Sequence, residues 1–241
     1  MIRINNLTFA YDKRNLVLDN INIEADKQKI IALLGHNGAG KTTLFKCILG
    51  LLIPQKGEVE IKIRIDHGNN HSPIISYMPD SGGFYPLLSP LDNLVFRASF
   101  YKDKKAAKEA AQYWLEKLKL NKSKVKFSGQ MSHGMQKRLS FACAIINDPD
   151  IILLDEPTNG LDPLSIDILI NLIREINKED TTILINTHDL NLVREACHKI
   201  IILQEGIIID EKKVKDIEKN FREYYLEMVE EYNQKAGVIY D

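Results

Sequence analysis

A chain of 241 residues is long enough to bury a sizeable core, as one large domain or as a domain with a lobe inserted in it. Its 44% apolar and 27% charged residues exclude a disordered or fibrous polymer. With 32 Lys and Arg against 33 Asp and Glu the formal charge is -1, which excludes a broad basic field for nucleic acid or an anionic membrane surface.

In chain order, Ile2, Ile4, Leu7 and Phe9, then Leu16, Leu18, Ile21 and Ile23, recur at about every second position and predict two strands of an antiparallel β-lobe. Lys29 to Leu34 is a β-branched run that feeds a Gly-rich turn and a helical stretch closed by Gly50. Val59, Ile61, Ile63 and Ile65 alternate and extend the lobe. Between Ser89 and Lys126 the pattern turns helical, with Ser89 as N-cap, Pro90 at the first helical position and Asp92 completing a capping box, so a helical lobe is inserted here. Ile151 to Leu154 and Thr181 to Asn186 are apolar runs with helix-length segments between them, as expected for strands of a parallel sheet buried on both faces. Residues 200–203 and 207–210, separated by Gln204, Glu205 and Gly206, read as a terminal hairpin. Val214, Ile217, Phe221, Tyr224, Met228 and Tyr232 repeat every three or four residues and predict an amphipathic C-terminal helix. Its six basic and seven acidic residues from Glu211 to Lys235 favour packing on the core or on a twin subunit over a membrane surface. The fold class is α/β.

Gly35 to Thr42, GHNGAGKT, matches G-x-x-x-x-G-K-[ST] between a predicted strand and a predicted helix, which is the setting that makes it a phosphate loop. Its glycines let backbone N–H groups wrap phosphates at a helix N-terminus. Lys41 then reaches the β- and γ-phosphates, and the Thr42 hydroxyl coordinates Mg²⁺. Asp155 ends an apolar strand at the edge where α/β folds place ligands, and is the natural partner of Mg²⁺, directly or through a bound water. Glu156, next to it, is placed to polarise an attacking water. His188 follows the strand ending at Asn186 and is projected onto the same edge, where a neutral imidazole can hydrogen-bond the γ-phosphate. Ser132 precedes an amphipathic stretch with Met135, Leu139, Ala142 and Ile146 on one face, so it caps a helix whose dipole points at an anion.

Over about residues 1 to 210 this ordered set resembles the ATP-binding cassette (ABC) ATPases, the nucleotide-binding subunits of transporters. Tyr11 matches the aromatic that stacks on adenine, and GHNGAGKTT matches the phosphate loop, with Gly35, Asn37, Gly38, Ala39, Gly40, Lys41, Thr42 and Thr43 about the nucleotide. MSHGMQ, with Ser132 and Gly134, matches the signature usually written LSGGQ. IILLDE matches the second nucleotide motif, Asn159 to Asp162 the D-loop, with Asp162 toward the nucleotide, and His188 the switch histidine. The resemblance implies ATP and Mg²⁺ as cofactors, with Thr42, Asp155 and Asp80 toward the metal and Glu156, His188 and Lys41 toward catalysis. It implies an ATPase core with β-lobe at 1–79 and 131–210, a helical subdomain at 80–130 and a C-terminal helical extension at 211–241. It also implies a homodimer that sandwiches ATP between the phosphate loop of one chain and the signature of the other. Such a dimer acts on a separate membrane permease from the cytoplasmic face, with neither nucleic acid nor direct membrane insertion. Three positions depart from the family pattern: Asp80 in YMPD stands where glutamine, or glutamate in some exporters, is usual, His133 replaces a signature glycine, and Met135 replaces its glutamine. A Gly-Met signature occurs in exporter ATPases of the drug and antimicrobial-peptide resistance type. A soluble cassette acting on nucleic acid or ribosomes is the competing reading, set against the near-zero charge and the stretch of only about 50 residues between Asp80 and the signature. A catalytically weak regulatory cassette is a third, prompted by Asp80 and the altered signature.

Other features read as structural. Cys47, Cys143 and Cys197 are far apart with no C-x-x-C pair, as reduced core thiols of a cytosolic protein are. Apolar runs such as Phe141 to Ile146 fall well short of the roughly 18 residues that span a bilayer, and the N-terminus lacks the apolar stretch of a signal peptide. Asp66, His67 and His71 flank Gly68, Asn69 and Asn70 and read as a turn. Trp114 is expected in the core of the inserted lobe with Ala110, Ala111, Leu115 and Leu118, and Lys102, Lys104, Lys105 and Lys108 as a solvated helix start.

Overall fold

A computed structural model describes residues 1–12, 15–62, 73–177 and 181–236. In chain order these form β1 (Ile2–Ala10), β2 (Leu16–Ala25), β3 (Ile30–Leu34), α1 (Lys41–Ile48), β4 (Lys56–Ile61) and β5 (Ile75–Met78). Next come α2 (Pro90–Ala98), α3 (Lys104–Lys117), α4 (His133–Ile145), β6 (Ile151–Asp155) and α5 (Pro163–Asn177). The chain closes with β7 (Thr182–Asn186), α6 (Leu190–Ala196), β8 (Lys199–Gln204), β9 (Ile207–Lys213) and α7 (Phe221–Ala236). Two compact units divide it, Met1–Asn69 with Thr182–Asp241, and Asn70–Thr181.

In the first unit, β2, β1 and β4 form the antiparallel lobe in that order. Ile2, Ile4, Leu7 and Phe9 are buried, as their spacing requires, but the step from Ile4 to Leu7 is three residues. A register irregularity absorbs the extra residue, with Asn6 at φ 48° turned outward so that Leu7 regains the inner face. Leu16, expected inside, is exposed. Ile63, Ile65, Asp66, His67 and His71 lie outside the described residues. The unit's parallel strands β7, β3 and β8 are apolar in unbroken runs because both faces are covered, and β3 and β7 are buried at every position. β9 returns antiparallel to β8 through Glu205 and Gly206, both at positive φ, the turn that suits the twist of a tight hairpin.

The C-terminal helix begins later than its periodicity predicts. Pairing with β8 holds β9 extended to Lys213, Val214–Asp216 makes a single 3₁₀ turn, and α7 starts only at Phe221, where the Asn220 side chain accepts the Arg222 N–H at 2.9 Å. Tyr224 is buried, and its hydroxyl donates to Asp210, which fastens α7 to β9.

In the second unit, β5 pairs parallel with β6 from Ile75↔Ile151 to Met78↔Leu154. β5 has four residues, three of them half-buried, and was not anticipated. Ser89 caps α2 as predicted, accepting the Asp92 N–H at 3.1 Å while its hydroxyl donates to the Asp92 carboxylate at 2.6 Å. Leu94, Ala98, Ala107, Ala111, Leu115 and Leu118 are fully buried and make the core of the helical lobe. Trp114 corrects the expectation: it is half-buried, edge-on to Tyr113 at 5.2 Å, and lines a pocket of about 100 Å³ with Ile145, Pro149 and Ile176. Among the described residues no helix is long and apolar enough to cross a membrane.

Candidate functional site

The phosphate loop belongs to the first unit. β3 ends at buried Leu34 and delivers Gly35 against β8, where a side chain has no room: a Cβ on Gly35 would lie 2.3 Å from the Leu203 carbonyl oxygen. Gly38, at φ +92°, turns the loop in open space. The loop closes on itself through Ala39 N–H to His36 O at 3.2 Å and runs into α1, where Leu44 N–H reaches Gly40 O at 2.9 Å. Lys41 is 6% exposed, and its ammonium donates to the carbonyls of Gly35 at 2.6 Å and His36 at 2.9 Å, so it lies inside the curl of the loop. The first turn of α1 has no acidic residue, which leaves the positive end of its dipole to an outside anion. Thr42 is half-buried and Thr43 buried on this turn.

Tyr11 stands beside the loop. The residue is 61% exposed, its ring held edge-on by Phe9 at 5.0 Å and its hydroxyl 3.3 Å from Thr43 Oγ1. That fixes an aromatic face toward solvent. His188 reaches the same loop from β7. Thr187 N–H bonds Leu33 O at 3.3 Å, and Asp189 caps α6 through the Asn191 and Leu192 amides at 2.9 and 3.2 Å, so the intervening His188 is aimed by both neighbours. His188, Gly35, His36, Asn37 and, from α7, Tyr225 line one pocket of about 300 Å³.

The acidic and signature residues belong to the second unit. Asp155, 3% exposed, accepts the Tyr77 hydroxyl on Oδ2 at 3.1 Å. Burial, then the Asp155 charge, push the Tyr77 hydroxyl well above its ordinary pKa. Glu156 is half-buried at φ +46°, a left-handed backbone that a non-glycine residue adopts under strain and that collects at functional sites. Asp162 caps α5, accepting the Ser165 N–H at 3.0 Å and hydroxyl at 2.6 Å, and the Ser165 hydrogen bonds hold its carboxyl below the usual range.

Ser132 is exposed and caps α4, its Oγ accepting the Met135 N–H at 3.4 Å, and α4 likewise carries no acid in its first turn. Gly134 follows on that turn. His133 packs against Gly160, where a Cβ would sit 2.7 Å from the imidazole. Asp80 meets Lys137 of α4: the ammonium donates to the Asp80 carbonyl at 2.6 Å and to Oδ1 at 3.0 Å, and Asn159 Nδ2 reaches the same Oδ1 at 3.4 Å. Burial raises the Asp80 carboxyl, but Lys137, Asn159 and His133 together outweigh it and the net direction is down. Lys137, Tyr77 and Tyr225 were not singled out in the sequence. Lys137 left one signal, a cation four residues before buried Phe141 and so on the inner face of α4.

Among protein families, the model described as ABC transporter matches residues 18–159, and an AAA-domain model matches residues 127–194. The chain is 34% identical to the bacitracin transport ATP-binding protein BcrA of Enterococcus faecalis, over 93% of this chain and 73% of that protein. It is 30% identical to the SkfA peptide export ATP-binding protein SkfE of Bacillus subtilis (strain 168), over 91% and 92%. The solved dimeric, post-hydrolysis ATP-binding cassette MJ0796 bound to ADP and Pi aligns with a TM-score of 0.79 at 26% identity, over 92% of this chain and 100% of that one.

Proposed function

The chain belongs to the ABC transporter family as one of its ATP-binding, ATP-hydrolysing subunits, and on that premise we propose that two copies close around two ATP and drive export through a separate membrane permease. The observation that carries this reading is the Lys41 ammonium, 6% exposed and donating to the Gly35 and His36 carbonyls at the uncompensated N-terminus of α1. A cation so placed exchanges two carbonyls for the β- and γ-phosphate oxygens of a nucleotide.

The other residues take roles that their surroundings permit. Tyr11 stacks on adenine, and the backbone from Gly35 to Thr43, with Asn37, Gly38, Ala39 and Gly40, wraps the phosphates. The Thr42 hydroxyl and the Asp155 carboxylate are hard oxygen donors of the kind Mg²⁺ takes in small number alongside phosphate, and Asp80 keeps Oδ2 for such use. The ion, when bound, neutralises phosphate charge. Glu156 accepts a proton from the attacking water, and its left-handed backbone fixes where the carboxylate starts from. His188 hydrogen-bonds the γ-phosphate. Ser132 and Gly134 of the partner subunit bring a second helix N-terminus to that phosphate, and Asp162 holds the D-loop in shape by capping α5.

Residues 80–130 offer the permease a surface. Tyr85, Phe96 and Phe100 run edge to face at 5.4 and 5.2 Å with 50%, 41% and 65% of their surface exposed, and Leu87 beside them in sequence is 78% exposed. Docking there would hold the subunit on the cytoplasmic face of the membrane. Export of a peptide cargo follows the name of SkfE, and transport that of BcrA.

Glu156→Gln tests the reading. It is expected to lower kcat by ~10²–10⁴-fold, the scale of general-base catalysis, and to accumulate an ATP-bound dimer on size exclusion. Unchanged hydrolysis removes Glu156 from its role, and a monomer under saturating ATP with turnover blocked removes the sandwich.

A further inference from the structure

The start of α4 carries three consecutive long polar side chains, and each is bonded to a different part of the second unit. Gln136 Nε2 donates to the carbonyls of Ser128, Gly129 and Met131 at 3.2–3.3 Å. Arg138 Nη1 donates to Leu118 O at 2.9 Å, at the end of the helical lobe. Lys137 goes to Asp80, with its Nζ 2.6 Å from the carbonyl and 3.0 Å from Oδ1. The pair is lopsided, since the Lys137 side chain is 3% exposed and that of Asp80 51%. A lysine gives up rotamer freedom when fixed, and its ammonium resists burial without a counter-ion, so mere space-filling is a poor use of it. The same Oδ1 takes Asn159, and next to Asn159 the Gly160 turn packs on His133. The Asp80 turn, the signature turn and the D-loop are therefore joined through one carboxylate and one ammonium.

We infer that Lys137 is a positioning residue, which acts through Ser132 and Gly134 by fastening the signature end of α4 to the Asp80 turn and the D-loop. Ser132 and Gly134 lie within about a turn and a half of Lys137 on a stiff helix, so a shift of the Asp80 turn is delivered to the groups that meet the partner's nucleotide. The inference rests on the proposed sandwich, in which the signature serves the other subunit's ATP. It separates two quantities: ATP binding by a single chain, which uses the phosphate loop, and closure of the dimer, which uses the signature.

The experiment measures both in the Glu156→Gln background. ATP affinity is read with a fluorescent ATP analogue at protein concentrations too low for dimers, and the dimer dissociation constant by sedimentation equilibrium in saturating ATP. Lys137→Met, which keeps an unbranched apolar stem and removes the charge, is expected to weaken the dimer by about tenfold, the lower range for a lost charge-assisted hydrogen bond, with ATP affinity changed less than about twofold. Lys137→Arg restores a cation and is expected to recover most of the loss. Amide exchange at residues 132–136 is expected to quicken in Lys137→Met and return toward the parent rate in Lys137→Arg. A Lys137→Met dimer as tight as the parent overturns the inference while leaving the sandwich intact. Equal weakening by Met and Arg, with equally lowered thermal midpoints, also overturns it, because the side chain would then act only as packing. A Glu156→Gln parent that stays monomeric in ATP removes the sandwich and the inference with it.

Discussion

Gly35→Ala probes the phosphate loop by steric means alone. The added Cβ would lie 2.3 Å from the Leu203 carbonyl oxygen and 3.2 Å from the Ala39 Cβ. Ordinary carbon–oxygen contact begins near 3.4 Å, so the overlap is ~1 Å. Leu203 cannot yield: it is fully buried and its strand is paired on both sides, with β3 and β9. The loop must move instead. Overpacking of this kind costs about 1–3 kcal/mol, which for a chain of this size lowers the thermal midpoint by about 2–12 °C. A ~1 Å displacement of a positioning loop costs about 10²-fold in kcat/KM. Gly38→Ala is the matched control, because its Cβ meets nothing within 4 Å and carries only the strain of φ +92°, about 1–2 kcal/mol. Thermal denaturation and steady-state Mg-ATP hydrolysis decide the matter together. A Gly35→Ala protein that keeps its midpoint and its kcat/KM, or that falls no further in kcat/KM than Gly38→Ala, refutes the argument that β8 shapes the loop.

The buried thiols set an alkaline limit. Burial raises Cys47 to about 11 and Cys143 to about 12, and Cys197 is raised further still, so all three should resist a thiol reagent at pH 8 until the chain unfolds. The unfolded thiols ionise near pH 9 while the folded ones stay protonated, so this contribution is complete below pH 9 and declines as pH rises toward 11. Urea midpoints that do not fall between pH 8 and 10.5 would contradict it. Tyr224→Phe removes the hydroxyl bond to Asp210 and is expected to cost about 1–2 kcal/mol. Limited proteolysis should then cut α7 earlier than the remaining helices, and unchanged cleavage would show that α7 is held by other contacts.

What was legible in the sequence was local. The Ser89 capping box, the Gly-Lys-Thr turn after an apolar run, and the alternation of β1 and β2 each depend on residues a few positions apart. The missed features depend on distant partners. Lys137 and Asp80 stand 57 positions apart, and no periodicity tells a helix cation which carboxylate it will meet. β5 is too short for a pattern and exists through its ladder with β6. The α7 boundary was misread because Val214 and Ile217 fit a helical period, while pairing of Lys213 with Lys199 kept the preceding chain extended. The left-handed Glu156 is a backbone property that side-chain type does not announce.

The turn between β8 and β9 bears on how such a chain can be enlarged. Gly206 donates its N–H to Ala39 O at 3.1 Å, in the phosphate loop, and accepts the Asp19 N–H on its own carbonyl at 2.8 Å, in the antiparallel lobe. Its peptide groups are thus a splice between the part that carries Tyr11 and the part that carries Lys41, and a longer connection would break both joints at once. A module inserted at this turn would have to spare both hydrogen bonds, a constraint that does not apply beyond Lys213, where α7 lies.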